Sequence, residues 1–144
     1  MEQLIESQQR DIQKLSQLIH QFRQSLSLAI HEAHSTPTPS ILGKFNDIKT
    51  MVAVIKARSQ FILNFDKYEK HMGIEWLNKK DLEEFEEEIA KFDTFSGHRV
   101  QVHLFNAVQH YAAIMKDISA LYHGMERLNS KLERLDTWLK RGLQ

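Results

Sequence analysis

Cysteine is absent from this 144-residue chain, so neither a disulfide framework nor a thiolate metal site is available to it. Proline occurs twice and glycine five times, too sparsely for a sheet protein that must turn every few residues. Long hydrophobic runs are missing too. The most apolar stretch, Met51 to Ile55, is far too short to span a bilayer, so no membrane span is expected. Charge of one sign is also lacking: 19 basic and 19 acidic residues cancel. A neutral chain does not carry the electrostatic footprint of a dedicated nucleic-acid binder, and nucleic acid is not an expected partner. The opening Met1-Glu-Gln-Leu-Ile-Glu-Ser has no basic region followed by an apolar core, so a cytoplasmic location is the expectation.

What the chain does have is a repeat of seven. Leu104, Tyr111, Ile118, Met125, Leu132 and Leu139 form one row, and Ala107, Ile114, Leu121, Leu128 and Leu135 fill the place three residues after each. Near the other end Ile5, Ile12, Ile19, Leu26 and Ala33 recur by seven, with Leu15, Phe22 and Ala29 three places on; Gln8 interrupts that second row. Apolar positions spaced in this way line one edge of a helix that packs along its length against other helices.

These rows predict an all-α fold, an elongated antiparallel bundle of three long helices and one shorter acidic helix. The first helix covers about 4–33 and the last about 98–141, both with coiled-coil character. A linker at 34–40 holds both prolines, which push the preceding residues out of helical dihedrals. Ser40 then caps a second helix over about 41–72, whose stripe of Phe45, Ile48, Val52, Ile55, Ser59 and Ile62 is widened by Val54, Phe61, Phe65 and Tyr68. So broad an arc predicts the most buried helix. The acidic helix, about 79–93, docks by Leu82, Phe85, Ile89 and Phe92. The whole chain, 1–144, reads as one helical-bundle domain.

The last helix poses a problem of length. Spanning 98–141 it would run to ~66 Å, well beyond a compact domain of this size, and Gly124 is the place where the pattern allows a bend. Beyond Gly124 the seam narrows to Met125, Leu128, Leu132, Leu135 and Leu139. Burying these five side chains would contribute roughly 8–15 kcal/mol gross, against an association cost of ~4–15 kcal/mol. A dimer held by this segment alone is marginal. The seam is therefore expected to pair with the first helix of its own chain, with a longer face of a second copy, or with another helical protein.

Residues that might carry chemistry are few. His31-Glu32-Ala33-His34 is one residue short of the zinc-protease helix motif and fits a helix C-terminus instead. His103 and His110, seven apart, share one face beside the seam and could face a metal or small ligand inside a bundle. The Glu-x-x-His pairs of di-iron bundles are missing, and no metal or cofactor is assigned. Arg99 and His103 resemble the arginine–histidine pair of the small helical HEPN ribonucleases. The resemblance covers those two residues alone, and three residues intervene where that motif has four to six. It implies RNA cleavage or nucleic-acid binding as an alternative function. The acidic run from Asp81 to Glu88 reads as a solvated face; the alternatives are a contact with a basic partner or a mask over a basic surface on the second and last helices. Trp138, beside basic residues near the chain end, has the character of an interface anchor.

No phosphate loop, nucleophile elbow or Walker sequence occurs, and no catalytic residue is assigned. The function these features favour is a non-catalytic protein–protein interaction or assembly module: a scaffold, adaptor, inhibitor or chaperone-like binder. Its expected interface residues are Ile5, Ile12, Leu15, Tyr122, Met125, Leu128, Leu132, Leu135, Trp138 and Leu139, and its expected partner is a second copy or another helical protein.

Overall fold

The computed structural model describes residues 2–32, 39–71, 79–92, 95 and 97–142. The described chain is all-α, with helices α1 (Glu2–His31), α2 (Pro39–His71), α3 (Lys79–Phe92), α4 (Gly97–Leu104) and α5 (Ala107–Gly142). The heart of the expected linker, 34–38, lies outside the described residues. The second helix begins earlier than expected, at Pro39, a residue whose fixed φ and missing N–H suit the first helical position. Ser40, expected as the cap, instead sits inside the first turn and accepts a hydrogen bond from Lys44 Nζ at 2.8 Å.

Pairwise contacts fix the arrangement. α1 packs on α2 and α5, α3 packs on α2 and α5, and α4 packs on α5. Gln8 meets Ser59 and Phe22 meets Phe45, so α1 and α2 run antiparallel. Arg23 meets Ser119 and Ser27 meets Tyr111, so α5 is antiparallel to α1 as well. Glu88 reaches Arg127 and Glu84 reaches Lys131, which sets α3 antiparallel to α5. α4 continues the same sense, with Arg99 on Asp117 and His103 on His110. Thus α3 and α4 lie one after the other along α5, and together they make a fourth stave beside α1, α2 and α5.

The expected single helix over 98–141 is therefore two helices. Arg99 and Asp117 are eighteen residues apart, which in one continuous helix is ~27 Å; their side chains approach to 2.6 Å. The chain reverses at Phe105-Asn106. There the Phe105 N–H bonds the Val102 carbonyl and the Asn106 N–H bonds the His103 carbonyl, tightening the last turn of α4. The Asn106 carbonyl accepts the His110 N–H at 3.1 Å, placing asparagine, a favoured N-cap, at the head of α5. Gly124, where the pattern allows a bend, is buried within an unbroken α5. The heptad row concealed the reversal because Leu104 and Ala107, three apart, face the core on either side of the turn, as they would within one helix.

α1 and α5 bury most of their described row positions: Ile5, Leu15, Ile19, Phe22, Ile114, Ile118, Leu128 and Leu132 have no exposed surface, while Tyr111 is half-buried. α2 buries its stripe from Ile41 to Leu63, yet not the expected wider arc. Val54 and Phe61 are 38% and 57% exposed, because among the described residues α2 packs mainly on α1 and α3 and its outer face meets water. Tyr68 lies among side chains that are not described. Where α4 begins, Gly97 passes close over α2: a Cβ there would stand 3.1 Å from Lys49 Cδ. Glycine permits that approach.

Candidate functional site

Seven of the ten expected interface residues belong to the interior. Ile5, Ile12, Leu15, Met125, Leu128, Leu132 and Leu135 are each at most 4% exposed, packed among elements of their own chain. Tyr122 is half-buried against the same core. The side chains of Trp138 and Leu139 lie outside those described. In this fold the two heptad rows are neighbours across the α1–α5 contact, which is one of the three pairings the repeat allowed.

The two polar interruptions of the apolar rows meet one another. Gln8 Nε2 donates to Ser59 Oγ and to the Ile55 carbonyl, both at 2.7 Å, in a site where Gln8 is fully buried and Ser59 nearly so. Arg58 Nη1 donates to Gln8 Oε1 at 3.2 Å and also bonds Asp11 Oδ2. A buried amide costs stability unless its donors are satisfied, and here both N–H groups have acceptors. A single matching polar pair also penalises any shifted alignment of α1 on α2.

The acidic helix divides its charge. Glu84 accepts from Lys131 Nζ at 2.6 Å and from Arg134 Nη1 at 3.4 Å, while Glu88, nearly buried, accepts from Arg127 Nε at 3.0 Å. The hydrogen bond from Lys131, helped by nearby positive charge, holds the Glu84 carboxyl below its ordinary value. Glu83, Glu86 and Glu87 face water. Part of the run thus masks a basic strip on α5, and part is a solvated face.

The same seam continues along α4. Arg99 makes a two-pronged bond to Asp117, Nε at 2.9 Å and Nη2 at 2.6 Å, which raises the arginine above its ordinary value. One turn on, the His103 and His110 rings stack with centroids 4.5 Å apart and 13° between planes, and His103 Nδ1 is buried without a hydrogen-bond partner. The arginine and histidine of the HEPN resemblance therefore face different partners, a carboxylate and a second imidazole. Among the described residues no three His, Asp or Glu side chains gather closely enough to hold a metal ion. His31 is exposed at the end of α1, and His34 lies outside the described residues.

Large apolar side chains are exposed around the α4–α5 turn, among them Val108, which continues the seam as a third apolar position expected to be buried. Val102, Phe105 and Val108 are 51%, 62% and 46% exposed around the α4–α5 turn. Leu28, 59% exposed, stands at the same end, because Ser27 bonds Tyr111 one turn from Val108. The asparagine at 106 was the available signal: read as a cap, it ends α4 and leaves Val102 and Phe105 on an outer corner.

Comparison of the chain with protein-family models, with curated proteins and with solved structures finds no match. Among the described residues no helix is long and apolar enough to cross a membrane.

Proposed function

We propose that the chain is a non-catalytic protein–protein interaction module whose contact surface is the apolar tip at the α4–α5 turn. The partner is a second copy of the chain. The observation that carries this reading is the grouping of Val102, Phe105 and Val108, each about half exposed, on a molecule whose heptad rows are already closed against one another. Clustered apolar exposure of this kind marks association surfaces more often than does a single exposed leucine. Balanced charge favours self-association, since copies with no net charge do not repel at long range. A two-fold contact would set tip against tip, with Leu28 at its margin.

Sedimentation equilibrium from roughly 1 μM to 1 mM tests this over the affinity range of weak to moderate dimers. Wild type should dimerise with rising concentration, and Phe105→Asp with Val108→Asp should stay monomeric with unchanged helix content. Wild type that remains monomeric throughout refutes the proposal, as does a dimer indifferent to those substitutions. Leu128→Asp and Leu135→Asp are unsuitable probes, because they place charge in the core and report on folding rather than association.

A further inference from the structure

On the flank of the bundle, away from the tip, α1 and α5 leave a groove of about 380 Å³ lined by Ser16, Gln17, His20, Arg23 and Tyr122, with buried Ile19 beneath. No aspartate or glutamate lines it, although the chain carries 19 acids. Arg23 has no carboxylate partner among the described residues: its Nη2 donates to Ser119 Oγ at 3.1 Å, and its guanidinium lies 5.5 Å over the Tyr122 ring. Among the described residues its Nε–H is buried with no acceptor, out of a ligand's reach. Its Nη1, by contrast, has no hydrogen-bond partner among the described residues and is not buried, so a ligand in the groove can reach it.

The remaining lining supplies hydroxyl and amide donors and an imidazole, all suited to oxygen acceptors. We propose that this groove binds a small organic oxyanion, a carboxylate or phosphate monoester bearing a short apolar body, with Arg23 as the anchoring cation. The Nη1 and Nη2 edge of a guanidinium matches two oxygens of such a group. The volume lies within the range of small-molecule sites and exceeds what inorganic phosphate fills, so the body rests on the Tyr122 ring and Ile19.

Titration of the full chain with benzoate, phenyl phosphate and inorganic phosphate, followed by calorimetry and by amide chemical shifts, tests this. At least one organic anion should bind saturably, with shifts centred on residues 16–23 and 119–122, and the tighter of the two identifies the head group. Inorganic phosphate should bind about tenfold more weakly than that ligand, because it lacks the apolar body. Arg23→Gln should lose about tenfold or more in affinity with the loss of a charged hydrogen-bond donor. Ser16→Glu, which leaves the core intact and puts a carboxylate into the groove, should abolish binding even if the Arg23 variant folds poorly. Failure of both organic anions to saturate by about 10 mM, weaker than any affinity a formed site would show, overturns the site. Wild-type affinity in Ser16→Glu or in folded Arg23→Gln does the same, and inorganic phosphate binding as tightly as the organic anions overturns the apolar subsite.

Discussion

Replacing Ser59 by alanine removes one acceptor from the Gln8 amide and leaves one of its N–H groups buried and unpaired. Gln8 has no exposed surface, so water cannot take the place of the lost partner. The other N–H keeps its 2.7 Å bond to the Ile55 carbonyl. The expected loss is the desolvation penalty of a single orphaned donor, about 1–3 kcal/mol, or a fall in Tm of roughly 2–4 °C per kcal/mol for a chain near this size. Gln8→Leu should behave differently. It frees the Ser59 hydroxyl to bond the Ile55 carbonyl one turn back and adds apolar surface to the core, while Arg58 keeps its bond to Asp11. Its stability should stay within about 1 kcal/mol of wild type, the opposing terms nearly cancelling.

The double variant, Gln8→Leu with Ser59→Ala, replaces both polar partners by apolar groups and should match or exceed wild type. The two substitutions are therefore coupled: the double variant is more stable than Ser59→Ala alone. Urea unfolding followed by circular dichroism measures all four proteins, and a constant denaturant slope shows that they share one transition. If Ser59→Ala is as stable as wild type, or if adding Gln8→Leu to it lowers stability further, the buried amide is not satisfied as described.

Two further outcomes follow from the contacts of α5. Leu132→Ala, at a site with no exposed surface, should cost about 2–5 kcal/mol; a loss well under 1 kcal/mol would mean that the seam is not closed by the chain itself. Acid should loosen α3 from α5, since the Glu84 carboxyl is depressed in the folded state. The stabilisation by that pair is fully present above the ordinary carboxylate value and is lost as pH falls through the lower, folded one. Melting curves from about pH 6 to pH 3, spanning the ordinary carboxylate range, should therefore fall less steeply on the acid side for Lys131→Gln than for wild type. Parallel curves would remove this pair as a cause.

The fold class, the extents of α1, α2 and α3, and the core faces of α1 and α5 could all be read from the sequence. Local propensity and seven-residue spacing act within a few turns of chain, and they mark which edge of each helix avoids water whatever it later meets. Ile5, Leu15, Leu128 and Leu132 were recognisable as seam residues for that reason. What they packed against was not, because an apolar edge carries no address: its counterpart can be the same chain or another. The reversal at Phe105-Asn106 escaped the repeat because the spacing of Leu104 and Ala107 serves a hairpin as well as a rod.

Other features exist only once distant segments are brought together. Gln8 and Ser59 look like separate flaws in two apolar rows, and become a bonded pair only where α1 crosses α2. Arg23 and Tyr122 are ninety-nine positions apart and make a groove only because α5 returns beside α1. The exposure of Val102, Phe105 and Val108 likewise depends on where α4 turns back. Sequence periodicity thus set the helices and their dry edges, since both are governed by short-range geometry. The pairing of those edges, and every surface that results from it, was decided by the long-range packing of the four staves.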